Sequence, residues 1–370
     1  MPKILFIASH RPERSPSQRY RFEQYLPFLI QNGYSCDYSF LISERDDQMF
    51  YQPGNFRRKT YFFLKSVYRR LRDLSRKNEY DLIFVQREAF MTGSAFFEKR
   101  FGKAKAKLVF DFDDAIWHLD VSDANRKLSW LKNPAKTANI IAVADLVLAG
   151  NDYLAAYALQ YNKHVKVIPT TVDTDEYKRS LAPRSESSLC IGWSGSLTTI
   201  KHFEYTIPAL AKLKAKYGNK IHFKVIGDSS YVNATLGIKG IAWSRETELK
   251  ELSEFDIGIM PLPDDEWTQG KCGLKGLVYM AMEIPAVMSP VGVNTQIVQD
   301  GVNGFLASGI DEWVDKISKL IDSPELRHRI GQEGRKIVLE KYSVKSQEQV
   351  YLSLFNGLLG QIPDSQTKGS

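Results

Sequence analysis

Two stretches of the sequence combine small residues with lysine where a strand should give way to a helix. In the first, Ser194-Gly195-Ser196-Leu197-Thr198-Thr199 follows an apolar run and leads to Lys201; in the second, Gly270-Lys271-Cys272-Gly273-Leu274-Lys275 opens an apolar helical stretch. Small residues at such a turn let backbone N–H groups approach an anion, and a helix N-terminus adds partial positive charge. Lysine at a helix start is unfavourable against the helix dipole unless an anion sits there as well. Lys271 and Lys275 therefore favour a bound phosphate, with Lys201 able to reach a phosphate oxygen as a point charge. Glycine at a βα turn also serves purely steric ends, so the first turn is the weaker sign of the two. Cys272 has no histidine beside it and reads as a small packed residue.

A different chemistry is offered by Asp111, Asp113 and Asp114 in the run FDFDDAIWH. Three carboxylates at the carboxyl end of a parallel strand stand where open α/β sheets place their ligands, and crowding should raise at least one pKa. They could orient a sugar hydroxyl, act as a base, bind a cation, or simply cap the next helix. Arg19 and Arg21, in a Ser/Arg/Pro loop after the first strand, and Arg87 and Glu88 after another, point to the same region as candidates for an anionic group. His10 and His118 are further candidates for a base. Residues 56–77 carry nine Lys/Arg against one acid, Asp73, with Phe62, Phe63, Val67 and Leu71 interleaved. That pattern fits a basic amphipathic helix able to lie on an anionic membrane, or a crossover helix whose apolar stripe packs on its own sheet.

The elements that must position these groups follow from periodicity. Apolar runs of strand length at 3–8, 81–85, 107–112, 146–148 and 165–168, then at 189–193, 222–226, 255–260, 285–288 and 304–306, alternate with helical stretches near 201–217, 273–282 and 309–340. This is the pattern of parallel sheets with crossover helices, and it predicts two α/β halves in series. The predicted division is a first domain over 1–170, a Pro/Ser/charge-rich linker over 171–188 and a second domain over 189–344, with one more helix at 345–362. A chain of 370 residues has room for two cores and a small-molecule site between them. The balance of 50 Lys+Arg against 43 Asp+Glu, +7, points to anionic partners. Nucleic acid is disfavoured because no recognition motif accompanies the basic segment. Three scattered cysteines support neither a disulfide framework nor a zinc site, and no run is long enough to span a membrane. The start of the chain lacks the length and cleavage site of a signal peptide, so the expected location is cytoplasmic.

With these residues in view, the chain resembles the retaining, nucleotide-sugar-dependent glycosyltransferases of the GT-B fold, in the family 4 (group 1) set. The resemblance rests on IGWSGS with Lys201 downstream, KVIGD at 224–228, FDIGIMPLPDD at 255–265, GKCGLKGLVYMAMEIPAVMSPVG at 270–292 and IVQDGVNGFLA at 297–307. It implies an α/β architecture of two Rossmann-like domains facing across a cleft, the final helix crossing back to the first. The second domain would bind a UDP- or GDP-linked sugar as substrate through Gly195, Ser196, Lys201, Gly227, Asp228, Lys271, Cys272, Gly273, Leu274 and Lys275. The family's arginine after the glycine is Ser196 here, and its paired glutamates fall on Gly270 and Val278. The first domain would bind a glycan or lipid-linked acceptor, with Arg19, Arg21, Arg87, Glu88 and Asp111 as its contacts. Asp113 and Asp114 stand where many members place a catalytic histidine. The reading implies no cofactor and no metal, and a place in bacterial surface polysaccharide or glycolipid assembly, peripheral on the inner face of the cell membrane. Two alternatives are a nucleotide-binding protein of reduced activity, favoured by Val278, and a sugar-nucleotide epimerase on the same fold. A dinucleotide dehydrogenase is disfavoured, because neither first strand is followed by the full GxGxxG turn.

Overall fold

The near-continuous Val, Ile, Leu and Phe runs become strands covered on both faces, as parallel strands require. In the computed structural model, which describes residues 1–50, 54–118, 133–179 and 188–361, the chain divides into two units, Met1–Pro169 with Gln347–Ser370 and Thr170–Ser346. The first unit contains β1 (Lys3–His10), β2 (Ser35–Ile42), β3 (Leu82–Gln86), β4 (Lys107–Phe112), β5 (Leu146–Ala149) and β6 (Val165–Val167). They form one parallel sheet in the order β2-β1-β3-β4-β5-β6, with Ile4 in register with Cys36 on one side and Leu82 on the other. The final helix, Val344–Leu358, belongs largely to this unit: Tyr351 is buried, its hydroxyl donates to the Arg21 carbonyl at 2.6 Å, and Tyr34 donates to Asn356 Oδ1 at 2.5 Å.

The second unit contains β7 (Leu189–Ser194), β8 (Ile221–Ile226), a small antiparallel pair β9 (Val232–Asn233) and β10 (Ile238–Lys239), then β11 (Ile257–Met260), β12 (Ala286–Met288) and β13 (Phe305–Leu306). Its parallel sheet has the order β13-β12-β11-β7-β8. Its core gathers Ile191, Trp193, Leu210, Val225, Ile259 and Ile317. Counted within each unit, both sheets run 2-1-3-4-5, with a sixth strand in the first. That order reverses direction between strands one and three, so the natural ligand position lies at the carboxyl ends of β1 and β3 in one unit and of β7 and β11 in the other.

Three expectations are corrected. The stretch near 201–217 is two helices, Ile200–Glu204 and Ile207–Tyr217, because Pro208 suits a helix start and not an interior; Pro324 likewise divides 309–340 into Gly309–Asp322 and Pro324–Ile337. The linker expected over 171–188 is not free in its described part. Val172 and Tyr177 are buried in the second unit, the Tyr177 hydroxyl donates to Glu248 Oε2 at 2.8 Å, and Arg335 donates to the carbonyls of Thr174 and Tyr177. Polar residues on either side concealed two anchors. Residues 180–187 of the expected linker lie outside the described residues.

Candidate functional site

In the second unit, β7 ends in Ser194 and turns at Gly195, whose N–H donates to the Ile226 carbonyl at 2.9 Å. Gly227 ends β8 at φ +133°, and a Cβ there would stand 2.3 Å from the Gly195 carbonyl oxygen. The two strand exits therefore touch through backbone, which only glycine permits at that φ. Ser196 N–H donates to Thr199 Oγ1 at 2.9 Å and caps the turn Leu197–Thr199, which leads into Ile200–Glu204 with Lys201 exposed on it. Asp228 closes its own turn, its Oδ1 accepting from Ser230 N–H at 2.8 Å and Oγ at 2.6 Å.

The β11 exit is built by an Asp265–Thr268 capping box, after which Gly273, at φ +70°, starts the helix Leu274–Ala281. Tyr279 ties this helix to β7, because its buried hydroxyl accepts from Ser194 N–H at 2.8 Å. Lys275 lies one turn before Tyr279 on the same helix face, which carries its ammonium to 5.2 Å from the Trp193 ring centroid. Lys271 Nζ stands 4.7 Å from the Trp267 ring centroid. Cys272 is buried, with Sγ 3.9 Å from the Gly270 carbonyl, as a packed residue should be. Val278, at one of the family's glutamate positions, is buried too.

His202 shows that the lysines converge. Burial, and then the charges of Lys275, Lys271 and Lys201, depress its pKa to about 4 against the weaker pull of Asp265. Among the described residues its buried Nδ1 meets no hydrogen-bond partner, nor does the buried indole Nε1 of Trp193. At the carboxyl ends of β7 and β8 Gly195 and Gly227 touch, and the charges of Lys201, Lys271 and Lys275 all reach His202. Sequence reasoning missed His202 and Tyr279. Gly258 was the available sign of Tyr279, since a Cβ at this mid-strand glycine would lie 2.4 Å from the ring.

The first unit assembles its charges differently. Arg21 and Asp111 are fully buried, with Arg21 Nη2 2.5 Å and Nε 3.2 Å from the carboxylate, while Arg21 Nη1 donates to the Ile168 carbonyl. Asp113 accepts from Ser17 Oγ at 2.6 Å and Arg87 Nε at 2.8 Å; Arg87 Nη2 reaches Asp114 at 3.5 Å. Asp114 Oδ1 also accepts from the Ala115 N–H at 3.1 Å, closing a turn. Burial, rather than crowding by carboxylates, is the main force raising the Asp111 pKa, against Arg21. For Asp113 burial is outweighed by Arg87 and Arg21, so its carboxyl lies below the usual range. Glu88 pairs instead with Lys136 Nζ at 2.7 Å, and Arg19 lies over the Tyr20 ring and donates to its hydroxyl at 2.6 Å. His10 is driven to about 4 by burial and Arg14, and is neutral near pH 7. Among the described residues no group of three or more His, Cys, Asp or Glu could hold a metal, and no helix is long and apolar enough to cross a membrane.

Two doubly wound parallel sheets, each covered by helices, define the GT-B class of two-domain α/β proteins. Residues 188–323 match the family described as Glycosyl transferases group 1, a match that agrees with the GT-B fold of the chain. The chain is 25% identical over 165 residues to the alpha-D-kanosaminyltransferase of Streptomyces kanamyceticus, covering 41% of each. It is 25% identical over 162 residues to the poly(ribitol-phosphate) alpha-N-acetylglucosaminyltransferase of Staphylococcus aureus, covering 40% of this chain and 31% of the relative. The chain thus spans less than half the length of either relative. The structure of Anabaena HepE in complex with UDP-glucose superposes with a TM-score of 0.70 at 16% identity, over 96% of this chain and 100% of the other.

Proposed function

We propose that this protein transfers a sugar from a UDP- or GDP-linked donor to an acceptor hydroxyl with retention of anomeric configuration. The observation that carries the reading is the placing of Lys275 over Trp193 of β7, of Lys271 over Trp267 beyond the end of β11 and of Lys201 on the helix that follows β7, three cations whose charges all reach His202. Breaking a glycosyl–phosphate bond leaves a diphosphate carrying new negative charge, and preorganised cations are the largest help a protein can give that step. The three lysines supply that charge, and the amides opening Leu274–Ala281 add to it. The UDP-glucose complex of HepE supports a nucleotide-sugar donor.

The first unit takes the acceptor. Arg87 and Ser17 hold the Asp113 carboxylate ionised, which suits it to accept a hydrogen bond from the acceptor hydroxyl and orient it. A carboxylate with a lowered pKa is a weak base, so the departing phosphate is the better destination for the hydroxyl proton. Asp111 is the buried counter-ion that fixes Arg21, not a direct acceptor contact. The relative acting on poly(ribitol-phosphate) supports a polysaccharide or lipid-linked acceptor of the bacterial surface.

The test is to supply UDP- and GDP-sugars with and without bacterial lipid-linked glycans and follow release of nucleoside diphosphate together with the anomeric configuration of the product. Acceptor-dependent release with retained configuration is expected. An altered sugar nucleotide formed without acceptor would instead mark an epimerase, and binding without turnover a protein of reduced activity.

A further inference from the structure

The helix Phe56–Ser75 is anchored to its sheet by an unexpected face. Its buried positions are Phe62, Ser66, Arg70 and Asp73. Arg70 is the fastener: it donates to Asp73 at 2.9 Å, to Ser39 Oγ at 2.8 Å and to the carbonyls of Ala8 and Ala89 at 2.7 Å and 2.5 Å. A buried arginine so fully paired docks the helix through polar contacts. Of the apolar residues singled out in the sequence, Phe62 alone is fully buried; Phe63 and Leu71 are exposed.

The opposite face carries the large apolar side chains. Tyr61, Leu64, Tyr68 and Leu71 recur three and four residues apart, which puts them on one stripe, and their exposures are 69%, 61%, 69% and 49%. Phe56, at the start of the helix, is 81% exposed. Arg58 and Arg72 run along the flank of the stripe and Arg57 lies within it, all exposed, whereas Lys65 pairs with Asp46 and Arg69 turns back over the Phe40 ring. The neighbouring helix Phe96–Phe101 adds exposed Phe96 with the Arg100 guanidinium over its ring, and exposed Lys99.

We propose that this face is a docking surface for an anionic lipid bilayer, with the Tyr61–Leu71 stripe entering the headgroup boundary and the arginines pairing with lipid phosphates. Tyrosine and leucine beside arginine match an interface that is apolar on one side and anionic on the other. Self-association through this face is opposed by its own charge, since a second copy would bring arginines against arginines. The inference does not depend on the sugar-transfer reading, because it rests only on one helix and its neighbours.

The test uses the full chain in sedimentation with phosphatidylcholine vesicles prepared with and without phosphatidylglycerol. Binding to the anionic vesicles alone is expected, weakening as salt is raised. The exposed triple variant Tyr61→Ser, Leu64→Ser, Tyr68→Ser leaves the Arg70 anchor intact, so its circular dichroism should match the parent while vesicle binding falls about tenfold. Arg57→Glu with Arg58→Glu and Arg72→Glu should abolish the preference for anionic lipid. Absence of binding to anionic vesicles, or unchanged binding by the folded triple variant, overturns the proposal. So does tighter binding to duplex DNA than to vesicles that is lost in the same variants, or loss of a dimer in the serine variant.

Discussion

The two units repeat one strand order yet fill the same place with opposite chemistry. At the switch point of the first, cations face carboxylates: Arg21 is locked to Asp111 in the interior, and Arg87 is divided between Asp113 and Asp114. At the switch point of the second, Lys271 and Lys275 stand over indole rings, and with Lys201 they add to the burial that lowers the His202 pKa. A buried ion pair is already satisfied and serves to position what surrounds it. A cluster of like charges concentrates positive potential, which favours an anion beside it. Topology thus chooses where a ligand goes, and a few side chains choose what it is.

Breaking the buried pair should have the largest effect. Arg21→Met leaves Asp111 uncompensated in the interior and should cost about 3–5 kcal/mol in chemical denaturation, most of it recovered by adding Asp111→Leu. A loss below about 1 kcal/mol would remove the pair from the architecture of the first unit. Next comes Lys201→Ala, which should lower transfer about a hundredfold, as loss of one preorganised charge-stabilising group does. Because Lys201 is exposed, the melting temperature should hold. Near-parental turnover would end its phosphate role.

Gly258→Ala probes the scaffold instead of the charge. The new methyl would meet the buried Tyr279 ring at 2.4 Å, and such overpacking typically costs about 1–3 kcal/mol. Since Tyr279 holds Ser194 and shares a helix face with Lys275, nucleotide affinity should fall as well; an unchanged affinity in the folded variant would separate the tether from the site.

The remaining effect, absent at neutral pH, is a pH dependence that both units share. His10 and His202 titrate near 4 when folded, below the 6.5 of an unperturbed histidine. The unfolded chain therefore binds protons that the folded chain refuses. Stability from this source is complete above pH 6.5 and is lost as pH falls from 6.5 towards 4. Thermal melts across that window should flatten in His10→Gln and in His202→Gln; equal slopes in parent and variants would contradict the assigned burial.

Much of this arrangement was legible in the sequence, for physical reasons that also explain the gaps. Doubly covered strands announce themselves, so the 107–112 run became β4 without adjustment, and the Gly-Lys-Cys-Gly turn marked where a helix begins. Ser35–Ile42 was missed because it is an edge strand, with Asp37 exposed and Cys36 half-buried, and lacks the continuous apolar signature. Strand order leaves no local mark, so nothing in the chain told that β7 and β11 would be neighbours. Carboxylates and arginines ninety positions apart, as in Asp111 and Arg21, could be named as candidates but not paired. For helix 56–75, periodicity identified an amphipathic element but left open which face is inside, because Arg70 rather than a stripe of phenylalanines fastens it.

The central claim is that the second unit holds a nucleoside diphosphate on its lysine cluster. Thermal shift of the full chain with UDP, GDP, ADP and their common sugars tests it most directly. A ligand at 100 times its dissociation constant adds about 2.7 kcal/mol, so one diphosphate should raise the melting temperature clearly in the parent and not in a Lys201→Ala, Lys271→Ala variant. No shift with any nucleotide, or an equal shift in parent and variant, would contradict the account.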